Sequence, residues 1–367
     1  MKELNDIVAA YDKAVKQEKQ SALVTVVKVD GSSYRRPGAR MLVTEDGEIT
    51  GAISGGCLEG DALRKAQLAM FEKRNKLEIY DTSDDEDNKL GIQLSCNGIV
   101  YILFEPLQFH DPHNPLNLLK KVAHSRKDAV IATIFNEDKR LHQQGTVCFT
   151  NESEMIALCA DADLPADARA VLNSKNSFVK TYEDHTALFQ FVPPSIQLII
   201  IGAGNDTQPL TDMAYILGWD IIVVDGRPAY TTQQRFPKAG KVQVTKPGEI
   251  LNLVKADEQT AFVLMTHNYN YDLVALEQII QTSSSYVGIL GPRKKLQKMF
   301  TELTEQGITI TDDALQKIYG PVGLDIGAET AEEIALSVIA EIKAVFAGRK
   351  GTPLRERKVE IHERSIM

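Results

Sequence analysis

The chain has 367 residues, of which 43% are hydrophobic and 25% charged, and its formal net charge is -9. A chain of this length can bury a sizeable core, and the usual domain size of roughly 100–200 residues predicts two or three domains. The negative charge provides no basic field for nucleic acid or for an anionic membrane surface, so neither is an expected partner.

Charge and cysteine patterns predict where the protein resides. Residues 1–20 carry charges throughout and lack the apolar core of a signal peptide, and no apolar run reaches the roughly 18 residues of a membrane helix. The four cysteines are too few and too scattered for a disulfide framework. We therefore expect a cytoplasmic protein with reduced cysteines.

The N-terminal part mixes helices and strands. Apolar residues recur at helical spacing from Leu4 to Val15, and β-branched runs predict strands at 22–29, 40–44, 48–53 and 99–107. A helix is predicted from Cys57 to Phe71. The signals are weaker from 110 to 192: helices near 115–125 and 165–173, and strands near 129–135 and 145–149. The pattern predicts a mixed α+β domain over 1–192, with a further boundary near 110 left open.

An acidic run at 81–89 interrupts these elements. It has no apolar periodicity, which favours a solvated loop over a metal site. The ligand spacing, the glycine and the closing glutamate of a calcium loop are absent from it.

The pattern changes after the two prolines at 193–194, where neither a helix nor a central strand can continue. Apolar strands at 198–201, 220–225, 260–266 and 285–290 alternate with helices near 207–217, 270–282, 293–304 and 329–346. Such alternation predicts a Rossmann-like, doubly wound parallel sheet. We expect this domain to span 193–350, followed by a tail at 351–367.

A glycine-rich stretch follows the first strand of this second domain. It has the parts of a dinucleotide-binding fingerprint: Gly202-x-Gly204 before a helix, then a second strand that ends at Asp225. The glycines allow a pyrophosphate to approach the helix N-terminus, and the acidic residue receives ribose hydroxyls. Thr207 stands at the third glycine position, however, and Asp206 is placed to cap the helix. A phosphate-bearing ligand and a purely structural turn both remain open.

Polar residues also follow other strands of the predicted sheet. Ligands of open α/β sheets bind outside the carboxyl ends of the strands, so these residues should share one crevice. They are Arg227, His267, Asp272, Arg293 and Lys294. His267 fits a proton-accepting base or a hydrogen-bonding scaffold, and Arg227 fits a ligand contact or a residue that ends a strand.

The stretch "GSSYRRPGARM" at 31–41 is rich in hydrogen-bond donors. Gly31 and Gly38 allow unusual backbone angles, and guanidinium groups form planar forks that suit phosphate or carboxylate. The donor side chains are Ser32, Ser33, Arg35, Arg36 and Arg40. This composition predicts a site for an anionic small molecule, and the alternative is a hairpin whose arginines lie in solvent.

The stretch "SGGCLEG" at 54–60 places Gly55, Gly56 and Cys57 before the predicted helix. If Ser54 or Gly56 caps that helix, the thiol lies in or near the first turn, where the helix dipole favours the thiolate. Glu59 and Asp61 oppose this effect. Cys57 is therefore either a reactive thiol or a small residue in a crowded turn.

Cys96 lies in "QLSCNGI", a second loop of small residues. The cysteines form no CxxC pair and have no histidine pair nearby, so a tetrahedral zinc site is poorly supported. Cys148 and Cys159 lie in apolar surroundings and are predicted core residues.

Taken together, the motifs resemble those of a known family. "GSSYRRPGARMLV", "GAISGGCLEGD", "LSCNG", "IIGAG", "VVDGRP", "MTHNYNYDLVAL", "GILGPRKK" and "PVGLDIGAETAEEIALSVIAEI" follow one another in this order. This order is similar to the XdhC/CoxI family of xanthine dehydrogenase accessory proteins, over about 20–105 and 197–347.

The resemblance implies an accessory chaperone of purine catabolism rather than an enzyme. Such a protein binds the molybdenum cofactor (molybdopterin), supports its sulfuration with a cysteine desulfurase, and inserts it into xanthine dehydrogenase or a related molybdenum hydroxylase. It also implies a homo-oligomer. Carried across by motif, the family cysteine falls on Cys57, a molybdenum contact, and a second on Cys96. The anion loop falls on Ser32, Ser33, Arg35, Arg36 and Arg40.

Three positions depart from the family pattern: Tyr34, Asn97 and the loop "GAGNDTQP", which lacks the usual histidine. The last departure argues against nucleotide binding by the second domain. An alternative function is an NAD(P)-dependent oxidoreductase built on Gly202-x-Gly204.

Overall fold

A computed structural model describes residues 1–81, 98–111, 114–151, 154–157 and 164–357. The chain divides into two compact units, Met1–Pro194 and Ser195–Met367. No helix within the described ranges is long and apolar enough to cross a membrane. Cys96, Cys159 and all of the acidic run except its first residue lie outside the described residues.

The first unit begins with an antiparallel sheet in the order β3-β2-β1-β5-β4. Its elements are α1 (Lys2–Lys16), β1 (Ser21–Gly31), β2 (Arg40–Thr44), β3 (Ile49–Gly51), α2 (Glu59–Glu72), β4 (Lys76–Asp81) and β5 (Gly98–Leu107). Alternate residues of β1, such as Val24 and Val26, pack with Ala62 and Ala66 of α2. The period-two alternation of a strand therefore buries one sheet face beneath a helix.

A second antiparallel sheet completes this unit, in the order β8-β7-β6-β10-β9. The elements are α3 (Pro115–Ala123), β6 (Ala129–Phe135), β7 (Gly145–Asn151), β8 (Met155–Ala157), α4 (Leu164–Ser174), β9 (Phe178–Thr181) and β10 (Thr186–Val192). Leu23 and Leu42 of the first sheet share a core cluster with Ile131 and Phe149 of the second. The two sheets thus pack against each other through their inner faces.

The second unit is built on a six-stranded parallel sheet. Its elements are β11 (Gln197–Ile201), α5 (Thr207–Ile216), β12 (Asp220–Asp225), β13 (Lys241–Val244), β14 (Thr260–Leu264), α6 (Tyr269–Ile279), β15 (Tyr286–Ile289), α7 (Arg293–Glu305), α8 (Asp312–Gln316), β16 (Ile318–Tyr319) and α9 (Ala331–Phe346). Along the sheet the order is β13-β12-β11-β14-β15-β16, which is that of the Rossmann fold. The predicted fold class, a mixed α+β part followed by a doubly wound parallel sheet, is confirmed.

Helices cover both faces of the parallel sheet. Leu198 and Ile200 pack in a cluster with residues of α5 and α9, whereas Ile199 and Ile201 pack in a cluster with residues of α6 and α7. Burial of both faces explains why β11 is a continuous apolar run rather than an alternating one. The chain reverses its direction of travel across the sheet between β11 and β14, so the expected ligand crevice lies at their carboxyl ends.

Candidate functional site

Two motif segments leave the same end of the first sheet. Gly31, the last residue of β1, pairs with Gly98, the first of β5. Met41, next to the start of β2, pairs with Gly51, the last of β3. We call residues 31–39 the arginine loop and residues 52–58 the cysteine loop. Antiparallel pairing brings both loops to one end of the sheet, which we call the loop edge.

The two loops touch at this edge. The ring of Tyr34, in the arginine loop, lies 3.5 Å from the point where a Cβ at Gly55 would stand. A Cβ at Gly98 would lie 2.3 Å from the carbonyl oxygen of Ser32, a distance that no side chain tolerates. The glycines of these motifs therefore permit close packing of the segments, in addition to any role toward a ligand.

The cysteine loop is organised around Ser54 and Glu59. The backbone N–H of Ser54 donates to Glu59 Oε1 at 2.9 Å, and the Ser54 hydroxyl donates to Glu59 Oε2. The N–H groups of Gly56 and Leu58 both donate to Ser54 Oγ at 3.1 Å. Burial raises the pKa of the Glu59 carboxyl, but the hydrogen bonds from Ser54 outweigh it and keep the pKa below its ordinary value.

This network shifts the start of the helix. α2 begins at Glu59 with Leu58 as its N-cap, two residues after the predicted start at about Cys57, and the predicted caps Ser54 and Gly56 are wrong. Cys57 precedes the first turn, is half-buried, and packs against the apolar core beneath α2. The thiol therefore lies at the boundary between that core and the loop edge.

The donor side chains of the arginine loop differ in their exposure and in their contacts within the chain. The hydroxyls of Ser32 and Ser33 make no hydrogen bond to any other residue that the structure describes, and Arg36 is exposed. Arg35 Nη2 donates to Glu3 Oε2 of α1, with both side chains about one-third exposed. The loop edge thus offers hydroxyl donors, whereas Arg35 already binds a carboxylate of the chain itself.

Arg40 lies beneath the arginine loop, with only 3% of its surface exposed. Its Nη1 donates to the carbonyl of Gly38 at 3.1 Å and to Gln190 Oε1 on β10. Its Nε and Nη2 are buried without a partner among the described residues. Burial lowers the pKa of the Arg40 guanidinium to about 10, although Glu105 and Glu3 favour its charge. The predicted anion-binding arginine therefore supports the loop from inside the unit.

In the second unit the predicted glycine loop is covered by a side chain of the chain itself. Asp206 Oδ1 lies 2.3 Å from the point where a Cβ at Gly204 would stand. Asp206 occupies the predicted N-cap position of α5, but the predicted capping by its carboxylate is wrong, because the side chain makes no cap hydrogen bond. Its Oδ2 lies 2.9 Å from Nε2 of His267, a residue that is 65% exposed and has a φ of +56°. Thr207, at the third glycine position, donates to the carbonyl of Gly202 at 3.1 Å.

Asp225 is saturated with hydrogen bonds. Its carboxylate accepts from the backbone N–H of Ala203 at 2.8 Å and from that of Arg227 at 2.9 Å. The Arg227 guanidinium donates to the same two oxygens at 3.0 and 2.7 Å. Burial raises the pKa of the Asp225 carboxyl, but the bonds from Arg227 and Ala203 outweigh it, and the pKa is lowered. Both oxygens that would receive a ribose are therefore already bonded within the chain.

Further side chains brace the same crevice. Arg235 Nη1 donates to the carbonyl of Ala203 at 2.7 Å. The guanidinium groups of Arg235 and Arg227 both lie over the ring of Tyr230. Asp272 is fully buried and binds Lys295 at 2.6 Å. The remaining predicted cations, Arg293 and Lys294, are exposed at the start of α7, and their side chains make no hydrogen bond or ion pair to another described residue.

Sequence reasoning missed Glu3, Gln190 and Arg235. Each acts on its loop through a contact that is 32 to 150 residues distant in sequence, so no local spacing signals it. Within the described ranges, no three His, Cys, Asp or Glu side chains are grouped as a metal site.

Comparisons with known proteins agree with this architecture. Residues 14–81 match the XdhC and CoxI family, and residues 198–342 match the XdhC Rossmann domain. A Bacillus subtilis protein, named as a probable xanthine dehydrogenase subunit, is 30% identical over 332 residues, which cover 90% of this chain and 94% of that protein. The Escherichia coli molybdenum cofactor insertion chaperone PaoD is 25% identical over 90% of this chain and 85% of its own length.

A solved structure shows the same fold. It is that of a protein named a xanthine dehydrogenase from Bacillus halodurans, with a TM-score of 0.76 and 26% identity, and the match covers 96% of this chain and 99% of that one. Together with the 30% identity along nearly the whole Bacillus subtilis protein, this likeness confirms the predicted resemblance. The chain belongs to the XdhC and CoxI family.

Proposed function

We propose that this protein binds the molybdenum cofactor and inserts it into xanthine dehydrogenase or a related molybdenum hydroxylase. It acts as an accessory chaperone that carries the cofactor as cargo. The names of two relatives, one a cofactor insertion chaperone and the other a probable part of xanthine dehydrogenase, support this role. The observation that carries the proposal is the meeting of the arginine loop and the cysteine loop at one sheet edge, where Tyr34 packs over Gly55.

The residues at this edge fit the chemistry of the cargo. Molybdopterin carries a terminal phosphate, which binds well to guanidinium and hydroxyl donors. Ser32 and Ser33 have hydroxyls without a partner in the described chain, and Arg36 is exposed beside them. Molybdenum with its sulfur ligands favours a soft thiolate, and Cys57 lies in the neighbouring loop.

Each group then has a distinct task. Ser32, Ser33 and Arg36 bind the phosphate, and Arg35 joins them when it releases Glu3. Cys57, with one side against the core and the other toward the loop edge, contacts molybdenum or receives the sulfur that a cysteine desulfurase delivers. Cys96, outside the described residues, is the proposed second thiol.

The first experiment measures cofactor retention. The full chain is mixed anaerobically with released cofactor, and the pterin that co-elutes in gel filtration is oxidised and quantified by fluorescence. Wild type should retain pterin and activate an apo-hydroxylase. Arg36→Ser should retain about tenfold less, because one charge-assisted contact is worth about 1.5–3 kcal/mol. Arg140→Ser is the control, since Arg140 is 86% exposed and pairs locally with Asp138. Failure of wild type both to retain pterin and to activate the hydroxylase rejects the proposal.

A second experiment addresses the thiol. Cys57→Ser should keep most pterin binding but lower hydroxylase activation at least tenfold, because the phosphate contacts remain while the soft ligand is lost. Cys148→Ala removes a thiol that is fully buried in the second sheet, so it should leave activation unchanged. Full activation by Cys57→Ser would show that the thiol has no part in cofactor handling.

The alternative function, an NAD(P)-dependent oxidoreductase, is tested by calorimetry. Such an enzyme should bind NAD or NADP with a dissociation constant of about 1 μM. We expect no measurable binding, because Asp206 covers Gly204 and the Asp225 carboxylate is already bonded to Arg227. Micromolar binding of either dinucleotide would favour the oxidoreductase.

A further inference from the structure

We propose that Gln190, on β10 of the second sheet, is a positioning residue that holds the arginine loop in its binding geometry. Gln190 lies outside both segments that match the family, 14–81 and 198–342. Its effect on the cofactor rests on the proposed function, whereas its effect on the loop does not.

The side-chain amide of Gln190 joins two parts of the loop base. Its Oε1 accepts a hydrogen bond from Arg40 Nη1, and its Nε2 donates to the carbonyl of Gly38 at 3.3 Å. Arg40 Nη1 also donates to the same carbonyl at 3.1 Å. The three residues therefore form a closed triangle of hydrogen bonds at the point where the loop enters β2.

The backbone conformation of Gly38 and its lack of a side chain allow this contact. Its φ is +94°, and a Cβ there would stand 2.4 Å from the amide carbon of Gln190. Its N–H donates to the carbonyl of Val26 on β1 at 2.7 Å. One end of the loop is thus fixed between β1 and the second sheet, and only glycine satisfies both the backbone angle and the space.

A glutamine suits this position because it can accept and donate at once. Arg40 is buried and already has two nitrogens without a described partner, so losing the Gln190 acceptor would leave its guanidinium with a single hydrogen-bond acceptor among the described residues, the Gly38 carbonyl. A buried charge in that state moves toward water or rearranges its surroundings. Either response displaces Gly38 and, with it, Arg36, which lies two residues earlier in the loop.

The test compares three full-length variants. Gln190→Leu fills similar space without hydrogen bonds, and Gln190→Glu keeps the acceptor for Arg40 but cannot donate to Gly38. Gln143→Leu is the matched control, because Gln143 is 2% exposed in the same unit and bonds to Asn136 and Leu141, away from the loop. Folding of each variant is checked by circular dichroism.

Two readouts separate positioning from stability. The first is the rate of native-state trypsin cleavage after Arg35, which needs no cofactor, and the second is pterin retention. Gln190→Leu should be cleaved about tenfold faster and bind about tenfold more weakly, as expected for one lost bond to a charged group. Gln190→Glu should stay within about threefold of wild type in both readouts. Gln143→Leu should lower the melting temperature without changing either.

Each outcome decides for or against the positioning role. Wild-type cleavage and binding in Gln190→Leu, or equal effects in Gln143→Leu, would overturn it. If wild type binds no cofactor, the proposed function fails, but the cleavage rates still decide whether Gln190 holds the loop.

Discussion

The loop edge of the first unit and the crevice of the second both lie at glycine-rich stretches, but they differ in how far their polar side chains are already bonded within the chain. At the loop edge, Ser32 and Ser33 bond to no other described side chain, and Cys57 is only half-buried. In the crevice, Asp206 binds His267 and Asp225 binds Arg227. A glycine fingerprint therefore sets the path of the backbone, but the neighbouring side chains decide whether a ligand can enter.

The difference has an energetic meaning. A ligand at Asp225 must replace hydrogen bonds from Ala203 and Arg227, and only the surplus over those bonds appears as affinity. A ligand at Ser32 and Ser33 replaces water. A ligand that binds at the loop edge would have to compete with Glu3 for Arg35.

Arg40→Ala should destabilise the first unit by about 3 kcal/mol, because it removes a buried arginine and leaves the Glu105 carboxylate without its neighbouring charge. Urea unfolding followed by circular dichroism measures the loss. The single tryptophan, Trp219, packs against the core of the second unit. The urea unfolding transition that its fluorescence reports should therefore be the same in the variant and in wild type. A loss below about 0.5 kcal/mol would mean that Arg40 does not anchor the loop edge.

Asp225→Asn should cost the second unit about 2 kcal/mol at pH 7, measured by Trp219 fluorescence in urea. The pKa of the Asp225 carboxyl is lowered in the folded state. Its stabilising effect is therefore present above the unfolded value of about 3.9 and is lost as pH falls through the folded value. The difference between variant and wild type should shrink below about pH 4.

The matched control for that variant is Asp212→Asn. Asp212 pairs with Lys238 at 3.1 Å but is 52% exposed, so its removal should cost less than about 0.5 kcal/mol. An Asp225→Asn penalty that is absent at neutral pH, or that stays constant down to about pH 3, would contradict the closed state of the crevice.

Glu3→Gln should tighten cofactor binding about threefold, because it frees Arg35 from a partly exposed ion pair worth under about 1 kcal/mol. Pterin retention at limiting cofactor measures the effect. Glu48→Gln, which removes an exposed partner of Lys13, serves as control and should not alter binding. Weaker binding in Glu3→Gln would show that the carboxylate supports the site rather than competing for it.

The sequence predicted the fold better than the contacts at the candidate site. Continuous apolar runs such as Leu198–Ile201 indicate a sheet buried on both faces, and a doubly wound parallel sheet followed from their alternation with helices. The short edge strands β13 and β16 were not predicted, since strands of 4 and 2 residues carry little pattern. The hydrophobic pattern of a strand reflects the burial of its side chains, and these two edge strands contain no fully buried residue.

The errors at the site have one physical origin. Asp206 was predicted as a cap because it precedes a helix, but His267, 61 residues away, provides a competing hydrogen bond. Cys57 was predicted in or near the first turn, but Ser54 accepts hydrogen bonds from loop amides and binds Glu59, and the helix begins only at Glu59. In both cases a side-chain hydrogen bond determined the result, distant in sequence for Asp206 and local for the cysteine loop.

The central claim is that the arginine and cysteine loops, rather than the glycine-loop crevice, hold the cofactor. Hydrogen–deuterium exchange of the full chain with and without molybdopterin tests it most directly. We predict slower exchange of the backbone amides at 31–39 and 52–58 and unchanged exchange at 202–207 and 225–231. Protection confined to the second pair of segments would contradict the account.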